Sequence, residues 1–197
     1  MIIVTGACRS GSSLVMQTLQ LLDIPLAGEA HHVDFPVKEG NPKGYYDLPL
    51  YNLMVGIGSK YSDKAVKLFG TALPKIEYPE TITHAIVCCR RDVEAQDKST
   101  RNLIELELKA EIDTVAPLRE MVIKHMEKMT DNDISSMRRK TYQQAYKYLE
   151  DHNINYIKVF YEDMLLQPLT EINRIIEHLK IKASDEQINE AKENVDV

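Results

Sequence analysis

The first fourteen residues, Met1-Ile-Ile-Val-Thr-Gly-Ala-Cys-Arg-Ser-Gly-Ser-Ser-Leu14, constrain the fold more than any other stretch. Ile2 to Thr5 is an apolar, β-branched run, the mark of a buried strand. A loop of small residues follows from Gly6 to Ser12. Beyond it Leu14, Val15, Leu19 and Leu22 share one helical face, so the period changes from a strand's to a helix's. A strand feeding a helix through a glycine-bearing loop aims backbone N–H groups and the positive end of a helix dipole at one point. That point suits an anion, and phosphate is the usual guest.

The loop's cation decides which phosphate. An ATP or GTP loop, G-x-x-x-x-G-K-[ST], needs a Lys to reach the β- and γ-phosphates and a hydroxyl to hold Mg²⁺. Gly6 and Gly11 have the right spacing, but Ser12 stands where that Lys belongs and Ser13 follows. Arg9 is the only cation in the loop. The run Arg9-Ser10-Gly11-Ser12-Ser13-Leu14 instead resembles the 5′-phosphosulfate loop of the sulfotransferase family: Lys or Arg, then Ser-Gly-Thr/Ser-Thr/Ser.

A second anchor is Thr83-His-Ala-Ile-Val-Cys-Cys-Arg-Arg-Asp92. Ala85 to Cys89 read as a buried strand, and Asp92 can cap a helix starting at Val93. Ligands of open α/β sheets bind outside the carboxyl ends of strands, where the two arginines fall. The family's 3′-phosphate site is an Arg at a strand's end and a Ser eight residues on. Arg91 and Ser99 have that spacing, with Arg90 as the alternative one residue earlier. Val93 replaces the Pro of the family's Arg-Asp-Pro.

Other segments extend the resemblance. Asn41-Pro-Lys-Gly-Tyr-Tyr-Asp47 is a turn by its chemistry and is similar to the N-P-x-G-[YF]-[YFW]-[ED] segment of bacterial-type sulfotransferases. Tyr45 and Tyr46 are candidates to wall the acceptor site or to pack on the sheet edge. Residues 47–60 read as a short helix and Lys64 to Phe69 as a strand, on which Lys67 matches a Lys that supports the transferring sulfuryl group in the family. Glu29 lies twenty residues past Arg9, the offset of the general base in tyrosylprotein-type enzymes, and His31 and His32 are its rivals. Residues 100–152 read as helix, broken near Pro117 and at Asp131-Asn-Asp133, with Arg138-Arg139-Lys140 on a solvated face. Asn155 to Phe160 is a fourth strand. Tyr161-Glu162-Asp163, the helix Leu169 to Leu179 and a capping box at Ser184 close the chain. The family's Lys-Thr-His strand and C-terminal Arg-Lys-Gly segment have no counterpart.

Composition narrows the partners. A length of 197 residues suits one domain, residues 1–197, and a net charge of −6 argues against a general nucleic-acid binder. No apolar run reaches the roughly twenty residues of a membrane span. Cys8, Cys88 and Cys89 lack metal-site spacing, and Cys88 and Cys89 should face opposite sides of a strand as reduced thiols, which points to the cytoplasm.

Strands alternating with helices predict an α/β fold, a P-loop-type three-layer sandwich with a mainly parallel central sheet. The resemblance implies transfer of a sulfuryl group from 3′-phosphoadenosine 5′-phosphosulfate (PAPS) to a hydroxyl or amine of a sugar, peptide or small molecule, with no metal. Residues 9–14 would hold the 5′-phosphosulfate and Arg91 with Ser99 the 3′-phosphate. Arg9 would stabilise the charge, and Glu29, His31 or His32 would take the proton. The residues alone leave two alternatives: a P-loop nucleotide kinase or NTPase, and a catalytically idle nucleotide-binding module.

Overall fold

The computed structural model describes residues 1–30, 41, 43–48, 61–76, 79–109 and 128–195. The expected strand β1 is Ile2–Gly6, and the helix after the loop, α1, is Ser12–Leu21. Among the described residues three further strands, β2 (Ala65–Phe69), β3 (His84–Cys89) and β4 (Tyr156–Phe160), pair with it in the order β2-β1-β3-β4, all parallel. Further α-helices among the described residues are α2 (Val93–Lys109), α3 (Asp131–Asp151), α4 (Tyr161–Leu166), α5 (Pro168–Leu179) and α6 (Asp185–Val195).

Strand alternation sends side chains into two cores, one on each face of the sheet. Ile3, Val66, Val87 and Cys89 pack with Ala145, Tyr148 and Leu149 of α3. Val4, Ile86, Cys88 and Val159 pack with Val15 and Leu19 of α1, Ile172 and Ile175 of α5, and Ala191 of α6. Helix, sheet and helix make three layers, and Cys88 and Cys89 point to opposite faces, as period-two geometry requires. The outer edge of β2 is covered by short parallel bridges from Leu26 to Ala65 and from Asp47 to Lys67. That pairing blunts an otherwise open strand edge. At residue 47 the chain therefore runs beside β2 and is not yet helical; residues 49–60, the rest of the expected helix, lie outside the described residues.

Local signals set the helix ends. Asp92 Oδ1 accepts the Ala95 N–H at 2.8 Å and caps α2. Thr130 and Asp133 form a reciprocal capping box that starts α3. Ser184 and Gln187 form another ahead of α6. Arg138, expected on a solvated face, instead joins α3 to α2 through Asp97, with Nε to Oδ1 at 2.7 Å and both side chains largely buried.

Candidate functional site

Register brings the strand ends together. Gly6 lies opposite Phe69 on one side and Cys88 on the other, so the loop from Ala7 to Gly11 rises between the carboxyl ends of β2 and β3. The chain passes from β1 outward to β2 and then back across to β3, which makes this gap the switch point of the sheet. A cavity of about 530 Å³ opens there. Its walls include Arg9, Gly11, Ser12, Ser13 and Leu14 from the loop and α1, Lys67 from β2, and Arg90 and Ser99 from the far side.

Two glycines shape the loop. A Cβ on Gly6 would lie 2.5 Å from Ser10 Oγ and 2.6 Å from the Cys88 carbonyl, so only a bare backbone fits between loop and sheet. Gly11 has φ +90°, where a side chain is strained, and a Cβ there would strike the Tyr161 ring at 2.8 Å. Val15 N–H donates to Gly11 O, the first α-helical bond of α1. The N–H groups of Ser12, Ser13 and Leu14 are thereby left without acceptors inside the helix, and they form the first turn along the cavity wall.

Arg9, with φ +58°, donates from Nε to Ser99 Oγ at 2.9 Å, tying the loop to α2. Gln96 Nε2 donates to the Cys8 carbonyl at 2.8 Å and makes a second tie. The Cys8 thiol lies in the cavity wall, where burial pushes its pKa up. Ser10 is 1 % exposed and turns inward under the loop, its N–H bonded to Ala7 O and its Oγ buried without a partner. Of the loop residues expected to hold the ligand, Ser10 is the one whose side chain does not line the cavity.

Lys67 is 7 % exposed although β2 is an edge strand. Its Nζ lies 2.8 Å from Asp47 Oδ2, 3.0 Å from Ser13 Oγ and 2.5 Å from the Tyr45 carbonyl. The ammonium thus joins the loop's hydroxyl to a carboxylate. Tyr45 also lines the cavity, whereas Tyr46 belongs to the core on the α1 face and donates its hydroxyl to Gln20 Oε1.

The two arginines part company. The Arg90 side chain is 17 % exposed, lines the cavity and lies over the Tyr161 ring at 4.7 Å. Arg91, 57 % exposed, stacks on Phe160 at 4.1 Å and pairs with Asp163 at 2.6 Å, outside the cavity lining. The arginine beside the loop is therefore Arg90, one residue earlier than Arg91. Tyr161-Glu162-Asp163 explains the split. Glu162 accepts the Arg91 N–H at 3.1 Å and Arg90 Nε at 3.4 Å, while Asp163 takes the Arg91 guanidinium. Partial burial raises the Glu162 pKa, but the Arg91 N–H, other backbone donors and Arg90 outweigh it and leave the carboxyl below its ordinary range.

Of the expected bases, the described one, Glu29, does not line this cavity. Glu29 is exposed and lines a different depression with Gln20, Asp23 and Tyr46. His31 and His32 lie outside the described residues. Asp47, which the sequence reading placed only within a motif, is the one carboxylate lining the main cavity among the described residues. Among those residues, too, no cluster of three or more His, Cys, Asp or Glu could hold a metal ion. No described helix is long and apolar enough to cross a membrane.

Comparison with known proteins gives a family match over part of the chain and a shared fold. Residues 108–196 match the family model described as the sulfotransferase domain. No curated protein matches the sequence. Two solved structures of retinol dehydratase share the fold. One, in complex with androsterone and the inactive cofactor PAP, aligns at 15 % identity with a TM-score of 0.56. The other, in complex with retinol and PAP, aligns at 17 % identity, also with a TM-score of 0.56. Each alignment covers 99 % of this chain and 64 % of the other, so the chain spans less than two thirds of their length.

Proposed function

We propose that this chain, whose residues 108–196 match the sulfotransferase domain and whose fold is shared by PAP-bound retinol dehydratase, moves a sulfuryl group from PAPS to an acceptor hydroxyl or amine. One observation carries the reading. A single cavity joins an anion-binding helix start that lacks the NTPase Lys to a second cationic group, Arg90 with Ser99, at the next strand tip. That arrangement suits a nucleotide with charge at both its 5′ and 3′ positions.

The donor set fits such a nucleotide. The first-turn N–H groups of α1 and the hydroxyls of Ser12 and Ser13 would receive the 5′-phosphosulfate, with Arg9 and Lys67 supplying charge. Arg90 and Ser99 would meet the 3′-phosphate. Transfer is in line, so the protein's work is positioning and stabilisation of charge on the bridging and equatorial oxygens. We read residues 1–197 as one such domain. The three free cysteines, two of them in the core, support a reducing, cytoplasmic setting.

The test is thermal. Adenosine 3′,5′-bisphosphate (PAP) should raise the melting temperature far more than AMP or ADP does. Equal shifts from all three would remove the 3′-phosphate site, and with it the sulfotransferase reading.

A further inference from the structure

We propose that Asp47 is the catalytic residue that takes the acceptor's proton, a role that rests on the sulfuryl-transfer reading. Three observations place it there. It is the only carboxylate among the described residues that line the cavity, and none of those residues is a histidine. It is 8 % exposed, so water competes little for it. Its Oδ2 is 2.8 Å from Lys67 Nζ, which is itself 3.0 Å from Ser13 Oγ at the helix start. Carboxylate, ammonium and loop hydroxyl therefore form a chain that leads from the anion cradle to a base.

The chemistry needs these three groups in this order. As the acceptor oxygen forms its bond to sulfur, the bond from sulfur to the 5′-phosphate oxygen breaks and its electron pair leaves with the nucleotide phosphate. The acceptor's proton goes to the Asp47 carboxylate and from there to solvent. Lys67, shared between the Asp47 carboxylate and the neutral Ser13 hydroxyl, carries the positive charge that would offset what builds on the sulfuryl oxygens. Among the described residues Asp47 Oδ1 accepts no hydrogen bond, so the ion pair leaves one oxygen to receive the proton. Glu29 lines a separate depression and lacks this connection.

Asp47→Asn keeps the shape and removes the base. The variant should still respond to PAP, with a rise in melting temperature at least as large as the parent chain's, because a negative charge in the cavity wall is gone. Transfer from PAPS to benzyl alcohol should fall by about 100-fold or more, the usual scale of general-base catalysis. Transfer to 4-nitrophenol at pH 9, already ionised, should fall far less. In the PAP-loaded chain, bound 4-nitrophenol followed by its phenolate absorbance should titrate at lower pH in the variant, because a neighbouring negative charge is gone. If Asp47→Asn does not fold, the parent chain's pH profiles substitute for it: the alcohol reaction should lose rate as a carboxylate protonates, and the ionised-phenol reaction should not. Equal losses on both acceptors, an unchanged titration, matching pH profiles, or no transfer by the parent chain would each overturn the proposal. A parent chain without a PAP response would instead overturn the reading beneath it.

Discussion

Arg9 of the loop between β1 and α1 and Ser99 of α2 are joined by a 2.9 Å hydrogen bond from guanidinium Nε to hydroxyl. Ninety residues apart in sequence, they tie the loop to α2 beside the cavity that both residues line. The bond holds a flexible side chain in place and lowers the cost of ordering it on binding.

Ser99→Ala should therefore weaken PAP binding by about tenfold or more, the scale of one charge-assisted hydrogen bond. The melting temperature without ligand should change little, since Ser99 is only half-buried. Calorimetric titration with PAP checks the first expectation and thermal unfolding the second.

Arg90 and Arg91 give a sharper contrast. Arg90→Ala should lower PAP affinity by about 100-fold while altering AMP affinity much less, because only PAP carries the phosphate that Arg90 would meet. Arg91→Ala should leave both affinities nearly unchanged, since its guanidinium is engaged by Asp163 and Phe160 outside the cavity. The four titrations form a closed comparison. A loss of PAP affinity confined to the Arg91 variant would instead assign the 3′-phosphate to Arg91.

Gly6→Ala tests how tightly the loop is seated. The added Cβ would meet Ser10 Oγ and the Cys88 carbonyl at about the same short distance, and the carbonyl belongs to β3 and cannot swing away. Overpacking of this kind costs about 1–3 kcal/mol, and each kcal/mol lowers the melting temperature of a chain this size by about 2–4 °C. Thermal unfolding measures the loss directly. The PAP response should fall with it, because the loop must lift to make room.

Glu162 makes stability depend on pH. Its folded-state pKa is held below the ordinary carboxylate value, so its ionised form stabilises the fold above that value. The contribution fades as pH falls through the folded-state pKa, where the carboxyl protonates and releases the Arg91 N–H and Arg90. Glu162→Gln should thus lower the melting temperature at pH 7, and the gap between variant and parent should close in acid, below pH 4.5. Thermal unfolding across a pH series checks both parts.

Much of this protein was settled by neighbours in sequence. The β-branched run Ile2 to Thr5, the glycines of the loop and the apolar spacing from Leu14 to Leu22 dictate strand, turn and helix through local sterics and periodicity. The Asp92, Thr130 and Ser184 caps set helix starts by short-range hydrogen bonds. Parallel order follows from strands that alternate with helices. The composition of the loop, with Ser12 in place of Lys, pointed to the type of anion.

The site's exact membership was decided by contacts no local pattern contains. Whether Arg90 or Arg91 faces the loop depends on carboxylates about seventy residues later, Glu162 and Asp163, which draw one arginine outward. Lys67 matched a family lysine by its place on a strand, but an edge strand alone would let it reach solvent; Asp47 and Ser13, brought to it by the covered edge of β2, hold it inside. Glu29 has the spacing of a base yet lines another depression, because distance along a chain fixes position in space only while the chain remains one regular element. Local periodicity acts over a few residues, whereas a binding site is assembled from the tips of strands far apart in sequence.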